Sequence, residues 1–180
     1  MNIAFLKQLT RRRWAVGVLA EIAGGTMARL PVLCARLGAS HTGTREAIEH
    51  LCALGLLARN AGHGHPLRPE FVLTPRGKAV AKAAGRIWSW ADDPRMGPLL
   101  PFRWTLPVLY CVKEPLTYGE IRKAVTPVTD RALSISLKQL TEAKALSRRV
   151  ETASRPPLSL YTPLPPALKI GGILRNVGAA

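Results

Sequence analysis

Residues 40–59 read Ser40-His41-Thr42-Gly43-Thr44-Arg45-Glu46-Ala47-Ile48-Glu49-His50-Leu51-Cys52-Ala53-Leu54-Gly55-Leu56-Leu57-Ala58-Arg59. Ala47, Ile48, Leu51 and Leu54 recur at three- and four-residue steps, which lines them along one face of a helix. Ser40 stands before them as N-cap, with Thr42 the competing choice. Gly55 ends the helix. Leu56-Leu57-Ala58-Arg59 reads as a short strand. Residues 60–69 are rich in Gly, His and Pro and read as a hairpin tip, with Glu70-Phe71-Val72-Leu73 as the returning strand. Pro75 suits the first position of a closing helix that runs to about Trp90.

Two more helices precede this stretch. Trp14, Val18, Leu19 and Ile22 share one face over residues 12–23, and Gly24-Gly25 stops that helix. Leu30, Leu33, Cys34 and Leu37 face inward over residues 29–37, and Gly38 ends that one. Three helices, a hairpin and a closing helix make the winged helix-turn-helix plan.

The plan is written twice. Arg13-Trp14 and Arg103-Trp104 each open an apolar stretch. Ile48, Leu51 and Leu57 match Leu137, Leu140 and Leu146, each 89 residues later. Leu73-Thr74-Pro75 matches Tyr161-Thr162-Pro163 at a shift of 88. The fold class expected is mainly α with small β-hairpins (α+β), as one winged helix over 1–91 and a degenerate second over 92–180. Asp92-Asp93-Pro94 and Gly97-Pro98 mark the short linker between them. In the second copy Pro107 must sit in the first turn of helix one. Thr117 and Glu120 have capping-box spacing for helix two. Helix three runs from about Val128 to Ala143, burying Ala132, Leu133, Leu137 and Leu140. Arg148-Arg149-Val150 begins the hairpin, with Ser154-Arg155-Pro156-Pro157 at its tip. Pro163, Pro165 and Pro166 are expected to shorten or delay the closing helix.

Lys and Arg number 26 against 11 Asp and Glu, a net charge of +15. Residues 1–91 hold 13 basic and 4 acidic residues, residues 92–180 hold 13 and 7, so both halves are basic. Such a chain calls for a polyanion, either nucleic acid or an anionic membrane surface. No apolar run reaches the roughly 18 residues of a membrane span. Arg11-Arg12-Arg13 and the apolar run after it resemble a signal segment, but Glu21 closes the run and no small-residue cleavage site follows. The expected partner is therefore double-stranded DNA and not a membrane, in the cytoplasm at the nucleoid. Cys34, Cys52 and Cys111 form no CxxC pair, which argues against a disulfide framework or a zinc ribbon. Cys34 and Cys52 read as small buried apolar groups.

No Gly-rich phosphate loop, HExxH or Gly-x-Ser-x-Gly is present, so neither an enzyme nor a cofactor is expected. The candidate DNA contacts lie on the third helices. They are His41, Thr42, Thr44 and Arg45 with the cap Ser40, and Thr129, Asp130, Arg131, Ser134 and Lys138. The N-terminal half of such a helix meets base edges, where Arg pairs with guanine and Thr touches the thymine methyl. The rival reading is the solvated face of a protein-binding module. Arg68 and Arg155 occupy the wing tips, with Arg149 in the second hairpin, either in a minor groove or as ordinary surface arginines. His63 and His65 lack a Cys or carboxylate at metal-site spacing, so no metal is expected and they read as phosphate contacts. Arg11 and Arg12 serve phosphates or solvate the start of helix one. Arg13 packs in the fold, since Arg103 repeats it. Trp88 and Trp90 are expected between modules or at a dimer interface.

The first copy resembles the HxlR-type winged-helix transcriptional regulators, which are related to MarR-like modules. The likeness rests on Arg13-Trp14, on the spacing Ser40-x3-Thr44-x3-Ile48-x2-Leu51-x3-Gly55-Leu56, on Arg59 and on Leu73-Thr74-Pro75-Arg76-Gly77. The second copy keeps Thr129-x3-Leu133-x3-Leu137-x2-Leu140 and Arg148, but has Lys144 in place of the glycine and Pro165 in place of the second motif's glycine. The resemblance implies a DNA-binding regulator with one winged helix per chain that dimerises. Relatives that sense oxidants do so through an N-terminal cysteine, which this sequence lacks. The expectation is a sequence-specific repressor whose two fused winged helices read a bipartite site, as a homodimer or as a monomer imitating one. Alternatives are a replication or plasmid initiator and a protein-binding subunit of a chromosome-condensing complex.

Overall fold

The structure, a computed structural model, describes residues 1–60, 70–152 and 157–177. It is mainly helical with small antiparallel sheets. The chain divides into two compact units, Gln8–Ser89 and Trp90–Asn176, the latter joined by Met1–Lys7. Helix α1 (Ile3–Leu9) was not expected. Its signal is Asn2, whose side-chain oxygen accepts from the Phe5 amide at 2.8 Å as an N-cap.

The first unit runs α2 (Ala15–Ala23), α3 (Leu30–Leu37), α4 (His41–Ala53), β1 (Leu57–Arg59), β2 (Phe71–Leu73) and α5 (Pro75–Trp88). Helix α2 is its centre and packs against α3, α4 and α5. Leu19, Leu33, Leu51, Leu56 and Ile87 are buried in the core so formed. Each such side chain contributes about 1.5–3 kcal/mol on leaving water. Trp88, expected between modules or at a dimer interface, is half-buried and lays its ring edge on α2 of its own unit. A Cβ at Gly17 would lie 2.8 Å from its ring, so Gly17 admits the indole onto α2. In the hairpin Leu57 pairs with Leu73 and Arg59 with Phe71, and an isolated bridge joins Arg29 to Glu70.

The second unit runs α6 (Thr105–Cys111), β3 (Leu116–Thr117), α7 (Tyr118–Val125), α8 (Asp130–Glu142), β4 (Leu146–Glu151), β5 (Leu158–Pro163) and α9 (Pro165–Arg175). Strand β3, unforeseen, pairs with β5 to give the order β3-β5-β4. It stands where the Arg29–Glu70 bridge stands in the first unit. Pro107 is the third residue of α6, where no intrahelical partner for an N–H is lost. The prolines do not disrupt α9. Pro165 and Pro166 are its first two residues, a position that suits proline, although at 11 residues it is shorter than the 14-residue α5.

The segment read as a linker is a built turn. The Asp93 carboxylate accepts from the amides of Arg95 and Met96 at 2.8 Å each, which holds it below the usual carboxylate range. Met96, Leu99 and Leu100 are buried. A Cβ on Gly97 would fall 2.0 Å from the Ala91 carbonyl oxygen.

The two units carry like local features, and the register expected between them needs a correction. Arg13 lies 5.2 Å over the Trp14 ring and Arg103 lies 4.7 Å over Trp104, the same cation–π pair in each unit. After strand β1 the shift is 90, not 88. Leu73 faces Leu57 and Pro163 faces Leu146, and the Thr74 and Leu164 amides donate to Leu56 and Ala145. Thr162-Pro163 therefore belongs to strand β5 and is not a helix cap. The residue facing Gly77 in the repeat is Ala167. The Gly77 site tolerates no side chain, since a Cβ there would fall 2.0 Å from the Leu56 carbonyl oxygen.

Gly55 and Lys144 occupy the same left-handed position after helix three, at φ 68° and 55°. That conformation costs an L-residue about 1–2 kcal/mol, partly offset by the chain entropy that glycine loses. Lys144→Gly is expected to stabilise the protein by about 0.5–1 kcal/mol, raising the thermal midpoint by about 1–4 °C. Gly55→Ala should lower it. Thermal unfolding by circular dichroism measures both.

Candidate nucleic-acid interface

Helix α4 starts where Ser40 Oγ accepts from the Gly43 amide at 3.2 Å. His41, Thr42 and Arg45 are exposed beyond it. The Arg45 guanidinium donates to His41 Nδ1 at 3.3 Å. These side chains form one polar surface over the first turns of α4.

Thr44 corrects the sequence reading: its exposure is 0% and its hydroxyl donates to the Ser40 carbonyl at 3.0 Å. It lies three and four residues before Ala47 and Ile48 and so faces the core with them. No base edge reaches it. Arg11 and Arg12 are both exposed, and Arg12 pairs with Glu46 of α4 at 2.9 Å. His50 contacts the Gln8 carbonyl at 2.8 Å through Nε2. That bond fastens the end of α4 to the start of the same unit.

Thr129 caps α8 by accepting from the Ala132 amide at 3.3 Å. Arg131, Ser134, Ile135 and Lys138 stand exposed at three- and four-residue steps and form one outward strip. Ile135, 48% exposed, is an apolar member that the sequence reading passed over. Asp130, one of the candidate DNA contacts, is engaged within its own unit. Arg122 Nε approaches its carboxylate at 2.6 Å and the Tyr118 hydroxyl donates to it at 3.2 Å. Lys138 and Glu142 approach only to 3.9 Å, a weak exposed pair.

A groove of about 460 Å³ lies between α8 and the β4–β5 hairpin, lined by Tyr118, Ser134, Lys138, Arg148, Ser159 and Tyr161. Arg148 points into it and donates to Ser159 Oγ at 2.8 and 3.2 Å from its two nitrogens. Arg149, chosen from the sequence, is exposed on the other face of β4, because successive strand residues alternate sides. That alternation was the available signal, since only one of the two arginines can face α8. His63, His65, Arg68 and Arg155 lie outside the described residues.

Burial pushes the Cys52 thiol up, helped by the Glu49 charge, and it pushes Cys111 up as well. Cys34, Cys52 and Cys111 are each half-buried. Among the described residues no three His, Cys, Asp or Glu side chains gather to hold a metal, and no helix is long and apolar enough to cross a membrane.

No protein-family model matches the sequence, and no curated protein matches it. Among solved structures, one described as a MarR-family transcriptional regulator from Porphyromonas gingivalis W83 is similar at 19% identity and a TM-score of 0.43. The match covers 49% of this chain and 86% of that one.

The position of Thr44 has a direct consequence. Thr44→Ala removes a buried methyl and a buried hydrogen bond, and is expected to destabilise the protein by about 1–3 kcal/mol. Thr42→Ala, on the exposed face, should change stability by no more than about 0.5 kcal/mol. Urea unfolding of the two variants measures the difference.

Proposed function

We propose that this chain is a sequence-specific double-stranded DNA-binding transcriptional regulator. It carries two fused winged helices, residues 1–91 and 92–180, and represses by occupying its site. The observation that carries this reading is a pair of side-chain-capped third helices with exposed cationic faces in a chain of net charge +15. Those faces are His41, Thr42 and Arg45 on α4, and Arg131, Ser134 and Lys138 on α8. A helix of this kind enters a major groove, where an arginine makes paired bonds to guanine and the surrounding cations hold phosphates. The HxlR-type motifs of the sequence support the same reading.

The two faces differ, so the site they read is bipartite and asymmetric. On α4 the polar surface offers donors to base edges. On α8 the strip mixes Arg131 and Lys138 with Ile135, which suits a thymine methyl. The groove behind α8 brings Lys138 and Arg148 to one opening and suits a backbone phosphate between helix and hairpin. A single chain then presents two unlike readers, with or without a second copy.

Binding should fall steeply with salt. If about 6–10 phosphates are neutralised, the slope of log K against log salt lies between about −5 and −9. A slope shallower than about −2 on a duplex selected from a random pool would overturn the reading. Arg45→Ala should weaken the selected duplex by about 1–3 kcal/mol and random duplex much less. Arg131→Ala with Lys138→Ala should weaken both alike. Fluorescence anisotropy titrations on the two DNAs measure these outcomes.

A further inference from the structure

Helix α5 carries a charge pattern that the recognition surface does not use. It holds Arg76, Lys78, Lys82 and Arg86 and no acidic residue. Lys78, Lys82 and Arg86 are exposed and recur every four residues. Among the described residues none of the three is in an ion pair. At roughly 100° per residue they centre opposite Val80, Ala81, Ala84 and Ile87, the buried face of α5. Helix α2 packs against both α5 and α4. The buried face of α5 meets α2, so the three cations face away from it.

We propose that this ridge is a second DNA-binding surface, which takes the phosphate backbone of another duplex while α4 and α8 hold the first. The inference rests on the duplex reading of α4 and α8. The cations step about 6 Å along the axis and span about 12 Å. A duplex carries a phosphate on every nucleotide of each strand, so a ridge of this length meets several phosphate charges in one approach. Its neighbours on the same face are Ala79, Gly85 and Ser89. They supply neither the large apolar side chains that seat a helix in a bilayer nor the aromatic anchors of a protein interface. A backbone contact needs neither.

The repeat provides an internal comparison. With Thr74 aligned to Leu164, the positions of Lys78, Lys82 and Arg86 hold Leu168 and Gly172 of α9 and Asn176 at its C-cap. Arg175 is turned inward, donating to the Tyr110 carbonyl at 2.8 Å. The closing helix of this fold therefore folds without a cationic ridge, and the ridge on α5 is particular to the first unit.

The test uses the full chain on an immobilised random-sequence duplex, with capture of a second, fluorescent duplex as readout. The wild-type protein is expected to capture it. The variant Lys78→Gln, Lys82→Gln, Arg86→Gln should bind the immobilised duplex within about two-fold and keep its thermal midpoint, yet capture at least about ten-fold less of the second. The variant Lys78→Arg, Lys82→Arg should capture normally. Undiminished capture by the glutamine variant overturns the inference while leaving the proposed function standing. So does wild-type protein that binds the first duplex and captures nothing. Capture of anionic lipid vesicles or poly-glutamate in preference to the second duplex also overturns it. Failure of the wild-type protein to bind the immobilised duplex overturns the proposed function and this inference together.

Discussion

The left-handed turn after helix three is the constraint on which both units depend. In the first, the Gly55 amide donates to Cys52 and the Leu56 amide to Leu51, which closes α4 with its last carbonyls satisfied. In the second, Lys144 donates to Thr141 and Ala145 to Leu140 in the same pattern. The carbonyl that follows then receives the amide that starts the closing helix, from Thr74 in one unit and from Leu164 in the other. One residue with positive φ thus sets the direction of the hairpin and the origin of the last helix. Helix three is held from behind by this junction, and its outer face is left to solvent.

The first unit adds two devices at that junction. Thr74 Oγ1 donates to the Gly55 carbonyl at 2.7 Å and accepts from the Gly77 amide at 2.9 Å. Gly77 lets the helix close on the Leu56 carbonyl. The second unit has neither, and begins α9 with two prolines whose fixed φ suits a first turn. It instead has strand β3 and six-residue β4 and β5, which pair over six positions among the described residues. The units reach one architecture by different local means. Among the described residues their closing helices are unlike, cationic along one face in α5 and not in α9.

How much of the interface was legible depends on what each residue's signal reports. Ser40 was visible as a cap because a hydroxyl before an apolar period is a local pattern, and the structure uses it that way. Thr129, read as a base contact, caps α8 in the same manner. Thr44 was misplaced because a threonine among polar residues resembles surface, while its position in the helical period belongs to the core. Arg148 was passed over for Arg149 because two adjacent arginines look equivalent until a strand assigns them opposite faces. The Thr-Pro dipeptide at Thr162 misled the repeat alignment, because composition alone cannot tell a cap from the end of a strand.

The sequence by itself determined the helices from α2 onward, the strands that flank each hairpin tip and the charge, and it raised the expectation of a duplication. Each of these follows from short-range period, capping or counting, and physical chemistry acts on them within a few residues. Only the tertiary structure decided which polar residues face outward together. It enclosed Thr44, set Arg148 over the groove beside Lys138, paired Arg12 with Glu46 and Asp130 with Arg122, and packed Trp88 on Gly17. Most of these contacts join different secondary-structure elements. They depend on how α2 and α6 are surrounded by their neighbours, and no local pattern encodes that packing.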